Sequence, residues 1–304
     1  MRGVRRCVAF HVMVFALAGV VAGCGGNDGS GGGRTVIATT TQVADLVRDV
    51  GGGRVSVDGM LRPGGDPHDY EPRPSDVAAV ARADLVFRSG GEVDDWLGDV
   101  IRDAGGNAEV VSLIDSVDRI DDDPHWWQDP RNATRAAETI RARLTKLDPR
   151  GRRVYARNAQ RVERRLRGLD AAIAACVERV PPAKRAIVTT HDALGYFAHR
   201  YDVRVVGAVI PSLSTQAQAS AGDVDRLVRQ IRSEGVEAVF PESSVNPDIE
   251  RAIAREAGAR IGDTLYADAL GPKGSTGETY LGALAHDAGA LVRGMSGGRV
   301  NCLL

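Results

Sequence analysis

From residue 34 onward, short β-branched or apolar runs alternate with longer stretches whose apolar residues return every three or four positions. The short runs predict strands at 35–40, 55–61, 85–88 and 110–114, and then at 186–190, 203–210, 236–240 and 260–266. The periodic stretches predict helices at 43–50, 74–83, 96–104, 132–144, 223–234, 249–257 and 279–293. Gly51-Gly52-Gly53 stops the first helix, and Pro74-Ser75-Asp76 opens the second. Between the two sets, Asp148-Pro149 starts one charged, unbroken helical pattern that ends at Pro181-Pro182. At about 1.5 Å per residue it would span about 45 Å. Strands alternating with helices imply parallel sheets covered on both faces. The chain therefore reads as an α/β protein of two lobes, 35–145 and 182–304, each a mainly parallel sheet flanked by helices. One long helix over 146–181 joins them as a strut.

The N-terminal pattern differs. Arg2, Arg5 and Arg6 precede an apolar stretch from Val8 to Val21 that is too short for a comfortable membrane span. Val21-Ala22-Gly23-Cys24 resembles a bacterial lipobox, which implies a signal peptide at 1–23, cleavage before Cys24 and a lipid on its thiol. Residues 24–34, rich in glycine, then read as a lipidated flexible tether that holds the folded part at the extracytoplasmic face of the cell membrane, in a periplasm or at the cell surface.

Charge and cysteine content narrow the function. With 39 basic and 40 acidic residues and 5% aromatics, the chain offers neither a basic field nor a stacking platform for nucleic acid. Export would permit a disulfide between Cys176 and Cys302, but nothing local pairs them, and the sequence leaves the question open. No C-x-x-C motif is present. The glycine-rich stretches lack the lysine of a phosphate-binding loop, and no Gly-x-Ser-x-Gly nucleophile elbow occurs.

Four short stretches carry the candidate chemistry. They are Gly64-Gly65-Asp66-Pro67-His68-Asp69-Tyr70-Glu71-Pro72, Asp123-Pro124-His125-Trp126-Trp127-Gln128-Asp129-Pro130, Thr189-Thr190-His191-Asp192-Ala193 and Leu265-Tyr266-Ala267-Asp268-Ala269-Leu270. Each follows or trails a predicted strand, and ligands in open α/β sheets bind outside the carboxyl ends of strands. The expectation is that the four meet in the cleft between the lobes and hold one metal ion. His199 and His286 fall in helical patterns beside arginine and aspartate and read as solvated or structural. Glu242, at another strand exit, reads either as a carboxylate orienting a ligand histidine or as a helix-capping acid. Trp126 and Trp127 read as packing residues.

Together these stretches resemble the cluster 9 substrate-binding proteins of bacterial zinc and manganese ABC transporters, across nearly the whole mature chain. The resemblance rests on Pro67 to Pro72, on Asp123-Pro124-His125 with Trp127 and Asp129-Pro130, and on His191 with Tyr196, Phe197 and Arg200-Tyr201. It rests also on Phe240 with Glu242-Ser243-Ser244-Val245, and on Tyr266 to Leu270 with Thr279-Tyr280. It implies two lobes on a rigid helix, with His68 and His125 from the first lobe and His191 and Asp268 from the second as ligands. It implies partnership with a membrane permease and its ATPase, and a monomeric carrier. Three imidazoles and a carboxylate favour zinc over manganese. Four protein ligands leave no position for an activated water, so no enzymatic turnover is expected. The rivals are a metalloenzyme with Glu242 as general base and a metal-binding adhesin or scaffold lipoprotein. The sequence departs from many zinc members of the family where Asp121-Asp122-Asp123 stands in place of a long histidine-rich loop. It departs again at Gln128, where the usual residue is apolar and the change is expected to matter little.

Overall fold

The computed structural model describes residue 3 and residues 34–106 and 108–304. Apart from residue 3, the signal segment, together with Cys24 and the tether up to residue 33, lies outside the described residues.

The first sheet has four parallel strands, β1 (Arg34–Ala38), β2 (Val55–Gly59), β3 (Leu85–Arg88) and β4 (Glu109–Ser112), in the spatial order β2-β1-β3-β4. The second repeats the plan with β5 (Ala186–Thr189), β6 (Arg204–Ala208), β7 (Ala238–Phe240) and β8 (Arg260–Ile261), in the order β6-β5-β7-β8. Helices α1 (Thr41–Gly51), α2 (Pro74–Ala81), α3 (Leu97–Ala104) and α4 (Pro130–Leu147) belong to the first half. The second half has α6 (Gly195–Tyr201), α7 (Ala221–Glu234), α8 (Asp248–Ala257) and α9 (Tyr280–Met295). The 27-residue α5 (Arg152–Glu178) runs between them, about 40 Å long.

Strand alternation sorts the core into three clusters. One face of each sheet (Val36, Ala38, Leu85 and Phe87 in the first, Ile187, Ala238 and Phe240 in the second) enters a single cluster with α1, α4, α5 and α9. The opposite faces pack separately. Ile37 and Val86 meet Val80, Leu97 and Val100 of α2 and α3, whereas Val188 and Val239 meet Leu227, Ile231 and Ile253 of α7 and α8. The strut is therefore part of the core. Swinging the lobes apart would expose apolar surface along α5, so the inter-lobe geometry is stiff.

Several expectations are refined. The helix predicted from 132 starts earlier, at Pro130, because Asp129 caps it by accepting the Arg131 N–H at 2.8 Å. The run predicted as one strand over 260–266 breaks after Ile261. Gly262 is pressed against the Phe240 ring, and Asp263-Thr264 leave the sheet before Leu265 bridges to Glu242. The pairing left open by the sequence is present: Cys176 of α5 and Cys302 of the C-terminal tail form a disulfide, with Cα atoms 6.1 Å apart.

Candidate metal centre

The first lobe presents two histidines on one kind of turn, used twice. In Asp66-Pro67-His68, Asp66 Oδ1 accepts the His68 N–H at 2.9 Å, and in Asp123-Pro124-His125, Asp123 Oδ1 accepts the His125 N–H at 2.9 Å. Proline fixes φ between cap and ligand, so each turn is stiff over three residues. The first turn is braced from outside by Trp96, whose Nε1 donates to the Pro67 carbonyl at 3.1 Å and whose ring lies 4.6 Å from that of Tyr70. In the second, Asp123 Oδ1 is also 2.8 Å from His125 Nδ1. A side chain at position 195 would meet Asp123 Oδ2 at 2.5 Å, so glycine there makes room for the carboxylate. Tyr196 clasps the same loop, its hydroxyl donating to the Asp123 carbonyl at 3.2 Å and accepting the Ile120 N–H at 3.0 Å.

In the second lobe His191 leaves the end of β5. Its N–H donates to Glu242 Oε1 at 3.2 Å, and its Nδ1 is 2.8 Å from Glu242 Oε2. Asp268 sits in a loop held by long-range bonds. The Tyr266 N–H donates to Asp287 Oδ1 at 2.9 Å, and the Leu270 N–H to Thr41 Oγ1 at 2.9 Å. The Ala267 carbonyl accepts Trp127 Nε1 at 2.8 Å and Gln128 Nε2 at 2.9 Å.

The structure brings His68, His125, His191 and Asp268 together, with one candidate ligand atom from each inside a 4.8 Å span. His125 Nε2 is 3.4 Å from His68 Nε2 and 3.3 Å from His191 Nε2. The Asp268 carboxylate is 3.3 Å from His68 Nε2, 3.1 Å from His191 Nε2 and 3.6 Å from His125 Nε2. His125 turns Nδ1 to the Asp123 carboxylate, which favours the proton there and the Nε2 lone pair toward the centre; His191 also has a carboxylate beside Nδ1, Glu242 at 2.8 Å, but without an aligned hydrogen bond. Both Asp268 oxygens are buried with no aligned hydrogen-bond donor. Inward lone pairs around a buried carboxylate do not satisfy one another; a cation satisfies all of them. The charges respond accordingly. Burial disfavours the charged form of His191, but the Glu242 and Asp268 carboxylates outweigh it and hold that imidazole well above its usual pKa. Burial would raise the Asp268 carboxyl, but the histidines, His191 foremost, hold it well below the carboxylate range.

Glu242 lies against His191 rather than capping α8, which begins at Asp248. His199 is exposed, and His286 is tied to Thr276 Oγ1 at 2.9 Å and the Thr264 carbonyl at 3.0 Å. Trp126 and Trp127 are buried as expected, but Trp127 also holds the Asp268 loop, and so does Gln128, whose presence was expected to matter little. Three carboxylates behind the centre escaped the sequence reading: Asp66, Asp123 and Asp287. The repeated Asp-Pro-His was the available signal for the first two; Asp287, on α9, left none.

Comparison with known proteins gives the centre its context. The sequence profile of the ZnuA family, described as "Zinc-uptake complex component A periplasmic", matches residues 36–294. The manganese-binding lipoprotein MntA of Halalkalibacterium halodurans is 31% identical over 300 residues, covering 95% of this chain and 98% of that protein. The zinc-binding protein TroA of Treponema pallidum is 30% identical over 294 residues, covering 92% and 95%. The solved structure of the periplasmic zinc binding protein TroA from Treponema pallidum aligns with a TM-score of 0.80 at 28% identity, over 87% of this chain and 99% of that one. Two parallel α/β lobes, matched along nearly their whole length by the family profile, these relatives and the solved fold, make this chain a member of the ZnuA family, periplasmic solute-binding proteins of metal ABC transporters rather than enzymes.

Proposed function

We propose that this protein is the extracytoplasmic, high-affinity zinc-binding component of an ABC-type metal uptake transporter, with His68, His125, His191 and Asp268 as the four zinc ligands. The observation that carries this is the convergence of three imidazole Nε2 atoms on a buried carboxylate that lacks aligned hydrogen-bond donors. A tetrahedron with bonds of about 2.0–2.1 Å has edges of about 3.3–3.4 Å, bond length times about 1.63. Asp268 Oδ2 lies 3.3 Å from His68 Nε2 and 3.1 Å from His191 Nε2, and His125 Nε2 lies 3.4 Å and 3.3 Å from the same two nitrogens, all near that edge, with the four ligand atoms within 4.8 Å of one another. Nitrogen-rich coordination favours zinc over the oxygen-rich sites that manganese prefers. With four protein ligands in place, the zinc has no open position for a reactive water, which suits a carrier. Manganese is the second reading; MntA proteins of Halalkalibacterium halodurans and Bacillus subtilis, named manganese-binding, are 31% and 30% identical to this chain.

In this reading the protein is a monomer anchored through lipid on Cys24, and it delivers its ion to a membrane permease driven by an ATPase. Capture displaces protons from the imidazoles, and acid reverses it. The test is metal content and melting temperature after chelation and re-addition of zinc or manganese. One tightly held zinc with a large upward melting shift, lost in His125→Ala, is expected. A stronger response to manganese would change the cargo, and no response to either ion would overturn the carrier.

A further inference from the structure

All four candidate ligand side chains are closed off, His68 at 2% exposed and the others at 0%. Taken as a whole residue His68 is the most exposed of the four, at 9%, so solvent reaches the backbone of the His68 turn. An ion held there leaves only if something beside His68 moves. Most ties between the lobes involve backbone atoms, such as those from Trp127 and Gln128 to the Ala267 carbonyl and from the Gly64 N–H to the Leu270 carbonyl. They also sit on the shared core, which resists opening.

One tie is of another kind. Thr215 Oγ1, in the loop after β6, donates to Asp66 Oδ2 at 2.6 Å. Outside the four-residue centre it is the one side chain to side chain hydrogen bond between the lobes among the described residues. The other oxygen of the same carboxylate, Oδ1, accepts the His68 N–H at 2.9 Å. An open cavity of about 600 Å³ lies beside this pair, lined from both lobes by Asp66, Asp69, Thr215, Gln216, Ser244 and Asn246. Water there can compete for the bond, whereas the ties on the core are shielded.

We infer that Asp66 is a positioning residue that couples closure of the cleft to the placement of His68. One carboxylate oxygen bolts the Thr215 loop across the mouth, and the other caps the turn that aims His68 at the ion. Breaking the bolt frees the loop and loosens the turn together, so the Asp66–Thr215 bond governs how fast the ion leaves rather than how fast it arrives. The inference rests on the metal-carrier reading.

The experiment is stopped-flow release of zinc from the purified, zinc-loaded protein into excess fluorescent chelator, with association measured separately. Thr215→Val removes the donor while keeping shape, and is expected to speed release about tenfold, the scale of one hydrogen bond to a charged group. Association should not change, and the metal-free protein should keep its cooperative melting, lowered only by the loss of one hydrogen bond. Thr215→Ser restores the hydroxyl and should release at the parental rate. Asp66→Asn, which keeps an acceptor for the His68 N–H but loses the charge, should fall between and serves as the second probe if Thr215→Val folds poorly. Parental release from Thr215→Val, or equal acceleration by Thr215→Val and Thr215→Ser, would overturn the bolt while leaving the carrier intact. A parent protein that takes up no zinc would overturn the carrier, and the bolt with it.

Discussion

The two lobes have the same strand order and present their side chains to the centre by different means. The first uses local devices. His68 and His125 each sit two residues after the aspartate that caps them, with proline between. The second uses distant ones. His191 is held by Glu242, 51 residues away, and the Asp268 loop is held by Asp287 on α9 and by Thr41, Trp127 and Gln128 of the other lobe. A locally capped turn depends less on distant contacts, even though Trp96, Tyr196 and Thr215 also reach these two. A loop held from afar keeps its shape only while the scaffold holds. The second half of the centre should therefore depend more on tertiary stability.

The largest expected effect tests that dependence. The disulfide ties α5 to the tail after α9, the helix that carries Asp287, and spans 126 residues. By the chain-entropy account, closing a loop of that size is worth about 4–5 kcal/mol. Cys176→Ser with Cys302→Ser should lower unfolding free energy by about that amount in urea titration. Hydrogen exchange should then rise first in 265–270 and α9, while the turns at 66–68 and 123–125 stay protected. Equal loosening of both halves would break the comparison.

Next come the carboxylates behind His191 and His125, removed in turn. Glu242→Gln should weaken zinc binding by roughly 10–100-fold, the range for a partner that orients a ligand histidine. Asp123→Asn keeps an acceptor for the backbone turn and loses only the charge beside Nδ1, so a smaller loss is expected, about tenfold at most. Competition against a chelator of known affinity measures both. A larger loss in Asp123→Asn would show that the first lobe depends on the charge rather than on the turn.

The same contrast explains what could be read from sequence. Periodicity and proline-glycine punctuation are local, so the alternating elements, the strut and the four strand-exit stretches were legible. Much of what depended on a distant partner was not. The break after Ile261 comes from the Phe240 ring under Gly262, and the engagement of Gln128 from a carbonyl in the other lobe. The pairing of Cys176 with Cys302 needed the tail to return to α5. The helix α6 is only seven residues long and begins with glycine, a poor helix former, so it showed in the sequence only as the helical pattern around His199 and without bounds. Asp66 and Asp123 are the exception. Their signal was local, a tripeptide occurring twice, and it shows that a repeated short motif repays attention even when each copy has already been noticed for its histidine.

The smallest effect expected is on pH dependence, and it follows from the raised pKa of His191 and the lowered one of Asp268. In the metal-free protein the raised His191 pKa contributes stability that is full below its unfolded value of about 6.5 and fades as pH rises through the folded one. The lowered Asp268 pKa contributes stability that is present above about 3.9 and lost only as pH falls through its depressed value. The metal-free protein is thus helped most between about pH 4 and 6.5, where both charges stand. Zinc needs the imidazole without that proton, so its binding weakens as pH falls into that window. The melting shift on adding zinc should be largest near pH 8 and shrink steadily toward pH 5, and binding near pH 7 should release a proton that calorimetry in buffers of different ionisation enthalpy can count. Glu242→Gln removes a carboxylate that raises the His191 pKa, so it should release fewer protons and flatten the pH dependence even as it weakens binding. A flat profile in the parent protein would mean that His191 is already neutral without metal, and the electrostatic half of the comparison would fall.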